Sequence, residues 1–476
     1  MEHQIKAVAI TKDINSGEDL KGLGDYLTIF SGKGAGVCYM PDDYLSEGIQ
    51  NEEKALSRAK SNSKSGHHSV YDHGHISFTI KSSKMICMIL NSLGVYTTSE
   101  KSARYTKMQP ETELELQTYE KWRKKLQALI LNTYPKIDDI ELSKRLCKKL
   151  GMEYSPYTVV GGSFSHIKED GYMEELLNEL KRSETLPSYK LAQENARYMI
   201  SVFTPTTMMY TISYRQLCLT YDYFVKLQEN LENCDNTNFN ARLLKEVNDF
   251  LKELERITNE IGKPLSDNKN QYIRFLDSQV SGAYTKSEEG FKFNKFTDDE
   301  IKSRKTYLQG EKDHVCDTYK LVYFGSLAML AQAQRHRTLR YKMNLETAGE
   351  YDFYIPEILK SIPELKQEWL SDIKKLADYI PQGTIVRITE QGLFEDFVLK
   401  CKERLCGRAQ LEIMKSTVVN AHKFIANKKE LSYNNQKLLE TIIDEKGTLV
   451  PRCAFKDFKC SEGCSWGKNG AFERLI

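Results

Sequence analysis

No apolar run in the 476 residues approaches the ~20 that a membrane-spanning helix needs, so no such span is expected. A surplus of either charge is also missing. Sixty-eight Lys and Arg stand against 66 Asp and Glu, a formal net charge of +2. That balance argues against a general nucleic-acid coat, which would present a strongly basic face to many phosphates. The first residues, MEHQIKAVAITKD, lack the basic-then-apolar layout of a secretory signal. The expected location is therefore the cytoplasm, with the eleven cysteines as reduced thiols. Ser31-Gly32-Lys33-Gly34-Ala35-Gly36 is glycine-rich but lacks the spacing and the Lys-Ser/Thr pair of a phosphate-binding loop, and reads as a turn. No Ser-His-Asp or Cys-His arrangement is recognisable from residue order.

What remains is an ordinary globular composition, 40% hydrophobic and 28% charged, long enough for two domains of roughly 200–250 residues. HISFTI (75–80) reads as a strand of β-branched and aromatic residues, and Met85–Leu90 as a short buried helix. The pattern recurs about 240 residues later. Leu321–Phe324 reads as a strand, and Ser326–Gln334 is rich in helix formers. Two such units suggest internal duplication. The join falls in the polar stretch ENLENCDNTN (229–238). A helix follows, with Leu243, Leu244, Val247, Leu251, Leu254, Ile257 and Ile261 at helical spacing and a stop at Gly262-Lys263-Pro264.

Four patches carry candidate chemistry. Between His67 and His75 lie four of the nine histidines, a density that suits a metal site or a polar ligand loop. Their spacing fits no standard zinc pattern, which favours the ligand loop. Arg335-His336-Arg337, with Arg340 close behind, ends the second apolar helix; helix-dipole capping or an anionic ligand would explain it. Glu100–Tyr105 reads alone as a solvated loop, and Arg404–Ile413 as a plain helical segment. In the tail, Cys453, Cys460 and Cys464 lack a CxxC signature and leave two readings, a structural metal or reduced thiols in a turn-rich segment.

Taken together and in this order, the patches resemble the flavin-dependent thymidylate synthases. That family carries a GHHS-aromatic-acid-H loop before a strand, a helix ending in RHR, an S-x-R-Y segment, an A-R segment, an N-x-R segment, and an arginine ahead of an A-Q-x-E-I helix. In this chain the motifs are divided. The first half has Ala35–Tyr39 with Cys38, the loop GHHSVYDH (66–73), then Glu100, Ser102, Ala103, Arg104 and Tyr105, then Ala196-Arg197, then Ser213-Tyr214-Arg215. Where RHR belongs it has Ser92-Leu93-Gly94, and Tyr221–Phe224 stands for the last helix. The second half keeps Gln332, Arg335-His336-Arg337, Arg404 and Ala409-Gln410-Leu411-Glu412-Ile413. It has Ala377-Asp378 for A-R and Leu393 and Glu395 for N-x-R, its S-x-R-Y segment has shrunk to Thr338–Tyr341, and Asp313-His314 is a poor remnant of the histidine loop. Random decay would strike both halves alike. Complementary loss implies that each half donates what the other lacks.

The resemblance implies an α+β fold of two tandem synthase-like domains, 1–235 and 236–476, each a sheet flanked by helices, with the cysteine-containing tail at 451–476. It implies reductive methylation of dUMP to dTMP, with methylenetetrahydrofolate as carbon donor, FAD as cofactor and NADPH as the source of hydride. Another 5-substituted uracil nucleotide, such as 5-hydroxymethyl-dUMP, and a non-catalytic flavin- or nucleotide-binding homologue are the alternatives. Arg335 and Arg404 would be catalytic. Gln332, Arg335, Glu100, Ser102, Ala103, Arg104, Arg197 and Arg404 would hold the nucleotide. Cys38, His67, Ser69, Asp72, Arg335, His336, Arg337, Ser213 and Arg215 would hold the flavin. A homodimer would imitate the family's homotetramer, with no nucleic acid and no membrane partner.

Overall fold

Strand β2, His75–Ser83, shows why the chain forms a sheet here. Ile76, Phe78, Ile80 and Ser82 are buried on one face, while His75 and Lys81 of the other face are exposed. Its partners are β1 (Gln4–Ile10), β3 (Thr97–Glu100) and β4 (Pro205–Ser213), in the order β1-β2-β4-β3. All pairs are antiparallel, and β2 runs against β4 from His75↔Ser213 to Ser83↔Pro205. This computed structural model describes residues 3–11, 23–41, 43–101, 108–134, 186–234, 237–261, 290–294, 318–345, 352–457, 466 and 470–476.

A second sheet repeats the plan with β5 (Gly290–Asn294), β6 (Thr318–Ser326) and, beyond β7 (Arg340–Asn344), β8 (Ile385–Leu393). Antiparallel β6 and β8 pair from Thr318↔Leu393 to Ser326↔Ile385, and β5 flanks β6. Both β2 and β6 end on a buried serine whose Oγ caps a short apolar helix, Lys84–Leu90 in one case and Leu327–Ala333 in the other. The N–H groups of Lys84 and Met85 donate to the carbonyls of Thr204 and Val202. Those of Leu327 and Ala328 donate to Thr384 and Gln382 in the same way. Each return strand then feeds directly into a helix, Tyr214–Glu232 after β4 and Phe394–Arg404 after β8. The two strand-then-helix units read from sequence are present, and the fold is α+β.

The chain folds as two units. One comprises Met1–Lys101, Val202–Tyr284 and Tyr341–Gly349; the other comprises Ser102–Ser201, Thr285–Arg340 and Glu350–Ile476. These divide the chain differently from a single cut at residue 235, because the described residues 108–134 and 186–201 fold with most of the second half. Apolar burial explains the assignment. Helix Glu113–Thr133 buries Tyr119, Trp122, Leu126 and Ile130 in a core with Trp369, Ile373 and Leu376. Trp122 stacks edge-on against Trp369 with ring centroids 4.9 Å apart, and its Nε1 donates to Asp372 at 3.0 Å.

In the first unit, helix Asn238–Ile261 buries Leu243, Val247, Leu251, Leu254, Ile257 and Ile261 of the expected stripe, with Leu244 half-buried; the expected stop at Gly262-Lys263-Pro264 lies outside the described residues. Its Arg256 donates to the carbonyl of Ile5, and Glu253 accepts from the Ile5 N–H at 3.2 Å, so side chains satisfy part of the free edge of β1.

Two local expectations need correction. Ser31–Gly36 is not a turn but part of helix Leu23–Tyr39. Its glycines serve close helix approach, since a Cβ on Gly32 would stand 1.8 Å from the carbonyl oxygen of Ala55. Nor is Arg404–Ile413 one helix. Arg404 ends one, Leu411 starts the next, and the segment between them is irregular. Gly32→Ala is expected to destabilise the protein by about 1–3 kcal/mol, because the clash is with backbone and cannot be relieved by a rotamer. Denaturant unfolding should show the loss, with Gly470→Ala, which meets nothing within 4 Å, as the neutral control.

Candidate functional site

In the second unit, Ser326 is fully buried and its Oγ accepts the Met329 N–H at 3.0 Å, starting helix Leu327–Ala333 at a fixed point. The helix is short and almost wholly buried, so the residues after it emerge as a tight turn: the N–H of His336 reaches the Ala333 carbonyl at 3.0 Å. Exposure alternates along it, with Arg335 and Arg337 exposed and His336 buried.

Arg404 meets this turn from the last position of its own helix. Its Nε donates to His336 Nε2 at 2.8 Å, and its Nη2 lies 3.5 Å from the Gln332 carbonyl. Burial first, then the positive charges of Arg404 and Lys400, push the His336 pKa down to about 2. The imidazole is therefore neutral. Because Arg404 only donates, His336 Nε2 accepts and the ring proton sits on Nδ1. Glu403 stands 3.9 Å from His336 Nε2 and 3.7 Å from Arg404 Nη2, half exposed and so a weak partner.

Residues of both halves meet within this unit. After helix Leu186–Ala196, Arg197 and Tyr198 are buried, and the Tyr198 hydroxyl donates to Glu412 Oε2 at 2.8 Å while accepting from the Gln410 amide. Glu412 also accepts from the Ser326 N–H at 2.8 Å and from its hydroxyl at 2.6 Å. Burial raises the Glu412 pKa, opposed by the Ser326 and Tyr198 hydrogen bonds and by the charge of Arg197. The A-R segment of the first half is thus tied to the A-Q-x-E-I segment of the second, and both to the serine that starts the helix leading to Arg335.

The first unit holds the histidine loop. Helix Glu52–Ser65 ends on Gly66 at φ 84°, a left-handed cap that glycine adopts without strain. The loop is pinned by the Tyr71 hydroxyl, which donates to the Ala59 carbonyl at 2.8 Å. Asp72 then accepts from Ser213 Oγ at 2.7 Å and from Arg215 Nη1 at 2.8 Å. Ser213 Oγ also caps the helix that carries Arg215. Asp72, Ser213 and Arg215 are therefore brought together, while His67, Ser69 and Cys38 are exposed. Glu100 is held by partners that sequence reading missed. Its carboxylate, 2% exposed, accepts from Lys84 Nζ at 2.5 Å and Asn91 Nδ2 at 3.3 Å. Ser102, Ala103 and Arg104 lie outside the described residues, as do Cys460 and Cys464; Cys453 is an exposed thiol.

The two units differ at equivalent positions. Where the second unit places His336 against Arg404, the equivalent positions of the first are buried Leu93 and Phe224. Gly94 there adopts φ 64° under the Gln216 side chain, whose amide donates to the Leu93 carbonyl at 3.3 Å. Conversely, Leu393 stands where Ser213 caps its helix, and makes no side-chain cap. Sequence reading also missed a buried cluster behind Arg404. Glu390 accepts from Tyr319 at 2.9 Å, from Tyr323 at 2.6 Å and from Lys400 at 2.6 Å, and the Lys400 and Glu390 side chains are 1% and 0% exposed. Lys400 precedes Arg404 by one helical turn, the one signal that was available.

The pH dependence of stability follows from His336. Its folded pKa lies below the unfolded value of 6.5, so the unfolded chain binds the extra proton and stability falls as pH drops below 6.5. His3, lowered to about 4 by burial, acts in the same direction. His336→Leu, the first unit's residue at that place, should remove about 2 kcal/mol of the loss between pH 6.5 and about 5, read from denaturation curves across that range.

Residues 33–231 match the family model described as thymidylate synthase complementing protein. The matched segment begins within helix Leu23–Tyr39, ends within helix Tyr214–Glu232, and includes the histidine loop, Glu100, Arg197 and Arg215. That stretch contains the first-half motifs on which the resemblance rests, and the second-half motifs lie outside it. Among solved structures the chain is similar to a UMP/dUMP methylase, PolB, from Streptomyces cacaoi, bound with 5-Br dUMP. Identity is 16%, over 46% of this chain and 75% of that one, with a TM-score of 0.23. No curated protein matches the chain. No helix among the described residues is long and apolar enough to cross a membrane.

Proposed function

We propose that the chain is a flavin-dependent enzyme that reductively methylates dUMP at carbon 5, with methylenetetrahydrofolate as carbon donor and NADPH as the source of hydride. The observation that carries this reading is the arginine set around a neutral, desolvated histidine. Arg335 and Arg337 flank His336, and Arg404 is fixed on its ring. A planar guanidinium held by its Nε is suited to a phosphate or to a uracil carbonyl edge, and exposed Arg335 to negative charge developing on the pyrimidine. Arg197 and Gln332 belong to the same unit and complete the nucleotide-side set, together with Ser102, Ala103 and Arg104.

The donor set of the first unit suits a flavin. Arg215 and Ser213, oriented by Asp72, offer a cation and a hydroxyl, and His67, Ser69 and Cys38 are exposed. FAD bound there would supply hydride chemistry, and the protein residues would bind and orient it. Glu100, buried and held by Lys84 and Asn91, would act behind the nucleotide-side set by fixing those partners in place. We further propose that the active assembly is a homodimer, that the two halves arose by tandem duplication, and that the site draws residues from both.

Incubation with dUMP, methylenetetrahydrofolate and NADPH, followed by mass analysis of the nucleotide, is expected to show addition of one methyl group; a hydroxymethyl product or none would overturn the reaction assigned. Arg335→Ala and Arg404→Ala should each lower kcat/KM at least about 100-fold, equivalent to about 2.7 kcal/mol of transition-state stabilisation. Asp72→Asn should reduce the flavin that copurifies, read from its visible absorbance, and should leave the fold intact because Asp72 is exposed.

A further inference from the structure

The Glu390–Lys400 pair is unusual for where it lies. Both side chains are removed from water, and both Glu390 oxygens are occupied, Oε1 by Tyr319 and Oε2 by Tyr323 and Lys400. Desolvating an ion pair opposes folding unless its geometry compensates, and apolar residues of similar volume commonly serve stability as well or better. The molecule contains its own comparison. In the first unit, built on the same strand registers, the equivalent positions hold Tyr210 and Thr220, with Ile76 and Ile80 in place of the two tyrosines. Tyr210 donates to the Leu90 carbonyl at 3.2 Å and hydrogen-bonds the Thr220 side chain, and that sheet forms with no ion pair at this place. The plan does not need the charges. They occur in the unit whose helix ends in Arg404.

We propose that Glu390, Lys400 and His336 form a positioning array for Arg404. Glu390, anchored on β8 by two tyrosines, fixes Lys400 and with it the register of the last helical turn, while His336 takes the Arg404 Nε–H and sets the plane of the guanidinium. This rests on the reading of Arg404 as a nucleotide-binding arginine. His336 must stay neutral for the array to work, because an imidazolium has no lone pair for Arg404 and would repel it. The charged groups around it act to that end: Arg404 and Lys400 oppose protonation, Arg335 and Arg337 adjoin it in the chain, Glu390 is engaged by Lys400, and Glu403 is 3.9 Å away and half exposed. None of the three array residues needs to touch the nucleotide; they act through Arg404.

The test compares the full-length protein with Lys400→Met/Glu390→Gln, which removes both charges and keeps the volume. A second variant, Tyr323→Phe, leaves both charges and removes one hydrogen bond from Glu390. Nitrogen-15 NMR of the His336 ring across pH, hydrogen exchange at Arg404 Nε, and KM and kcat for dUMP are measured on each. The array predicts that the neutral pair folds with an unchanged or higher unfolding midpoint. Arg404 Nε–H should then exchange at least tenfold faster, the His336 titration should move upward, and KM for dUMP should rise at least tenfold with a smaller change in kcat. Tyr323→Phe should move the same readouts less far. If the neutral pair fails to fold, Tyr323→Phe alone decides. A folded variant with unchanged Arg404 exchange and an unchanged His336 titration would overturn the array and leave the cluster a structural one. If the wild-type protein does not turn over dUMP, the assigned reaction fails, whereas the exchange and ring-nitrogen measurements still decide the positioning role.

Discussion

Everything that positions the candidate chemistry depends on a serine at the end of a strand. Ser83 and Ser326 each occupy the last position of a nine-residue strand, fully buried, with the hydroxyl bonded to the third N–H of the helix that follows. The cap stops the strand and starts the helix without an intervening loop, so the helix lies against the sheet in one place only. Seven residues later the chain must turn, and whatever sits at that turn is delivered to a fixed location. In the first unit the turn carries Leu93 and Gly94; in the second it carries His336 between two arginines. One construction thus serves both as packing and as a support for charged groups.

Glu412 adds a second constraint in the unit that bears the arginines. A carboxylate fully removed from water is costly unless its oxygens are satisfied. Here Ser326 and Tyr198 satisfy them, and these residues come from a strand end and from the segment after a distant helix. The hydrogen bonds therefore define how three elements meet, and Arg197 beside Tyr198 inherits its place from that junction. Residues of the two halves come together there through buried polar bonds whose loss would leave a desolvated carboxylate.

Much of this was legible in the residues themselves, and the exceptions have physical reasons. Strand β2 and the helix after it announce themselves through β-branched alternation and then an unbroken apolar run. Helix Asn238–Ile261 does so through its period. The family model matches the stretch that holds the first-half motifs, and Asp72, Ser213 and Arg215 do meet. Ser31–Gly36 misled because glycine signals both turns and close helix contact, and only the presence of Ala55 opposite decides between them. Lys400 and Glu390 were invisible because a lysine on a helix is normally a solvated one; the tyrosines that make its burial tolerable come from a strand far off in sequence. The neutral state of His336 was equally hidden, since it depends on burial and on two cations that only the fold brings near.

The route of the chain through the two units sets an order on its synthesis. Trp122 lies 250 residues before Asp372, its hydrogen-bond partner, and the core it joins also requires Trp369 and Ile373. At ~5–20 residues per second, the ribosome takes roughly 12–50 seconds to supply those partners. Helix Leu186–Ala196 arrives early to cover part of the apolar face bearing Tyr119, Trp122, Leu126 and Ile130, but through that interval the surface around Trp369 and Ile373 is missing. The strands on either side, β2 and β4, are both available by residue 213 and can pair while that helix waits as an excursion between them. A nascent chain of this topology has a long window of exposed hydrophobic surface, and with it a demand on chaperones that a polypeptide with two self-contained halves would not make.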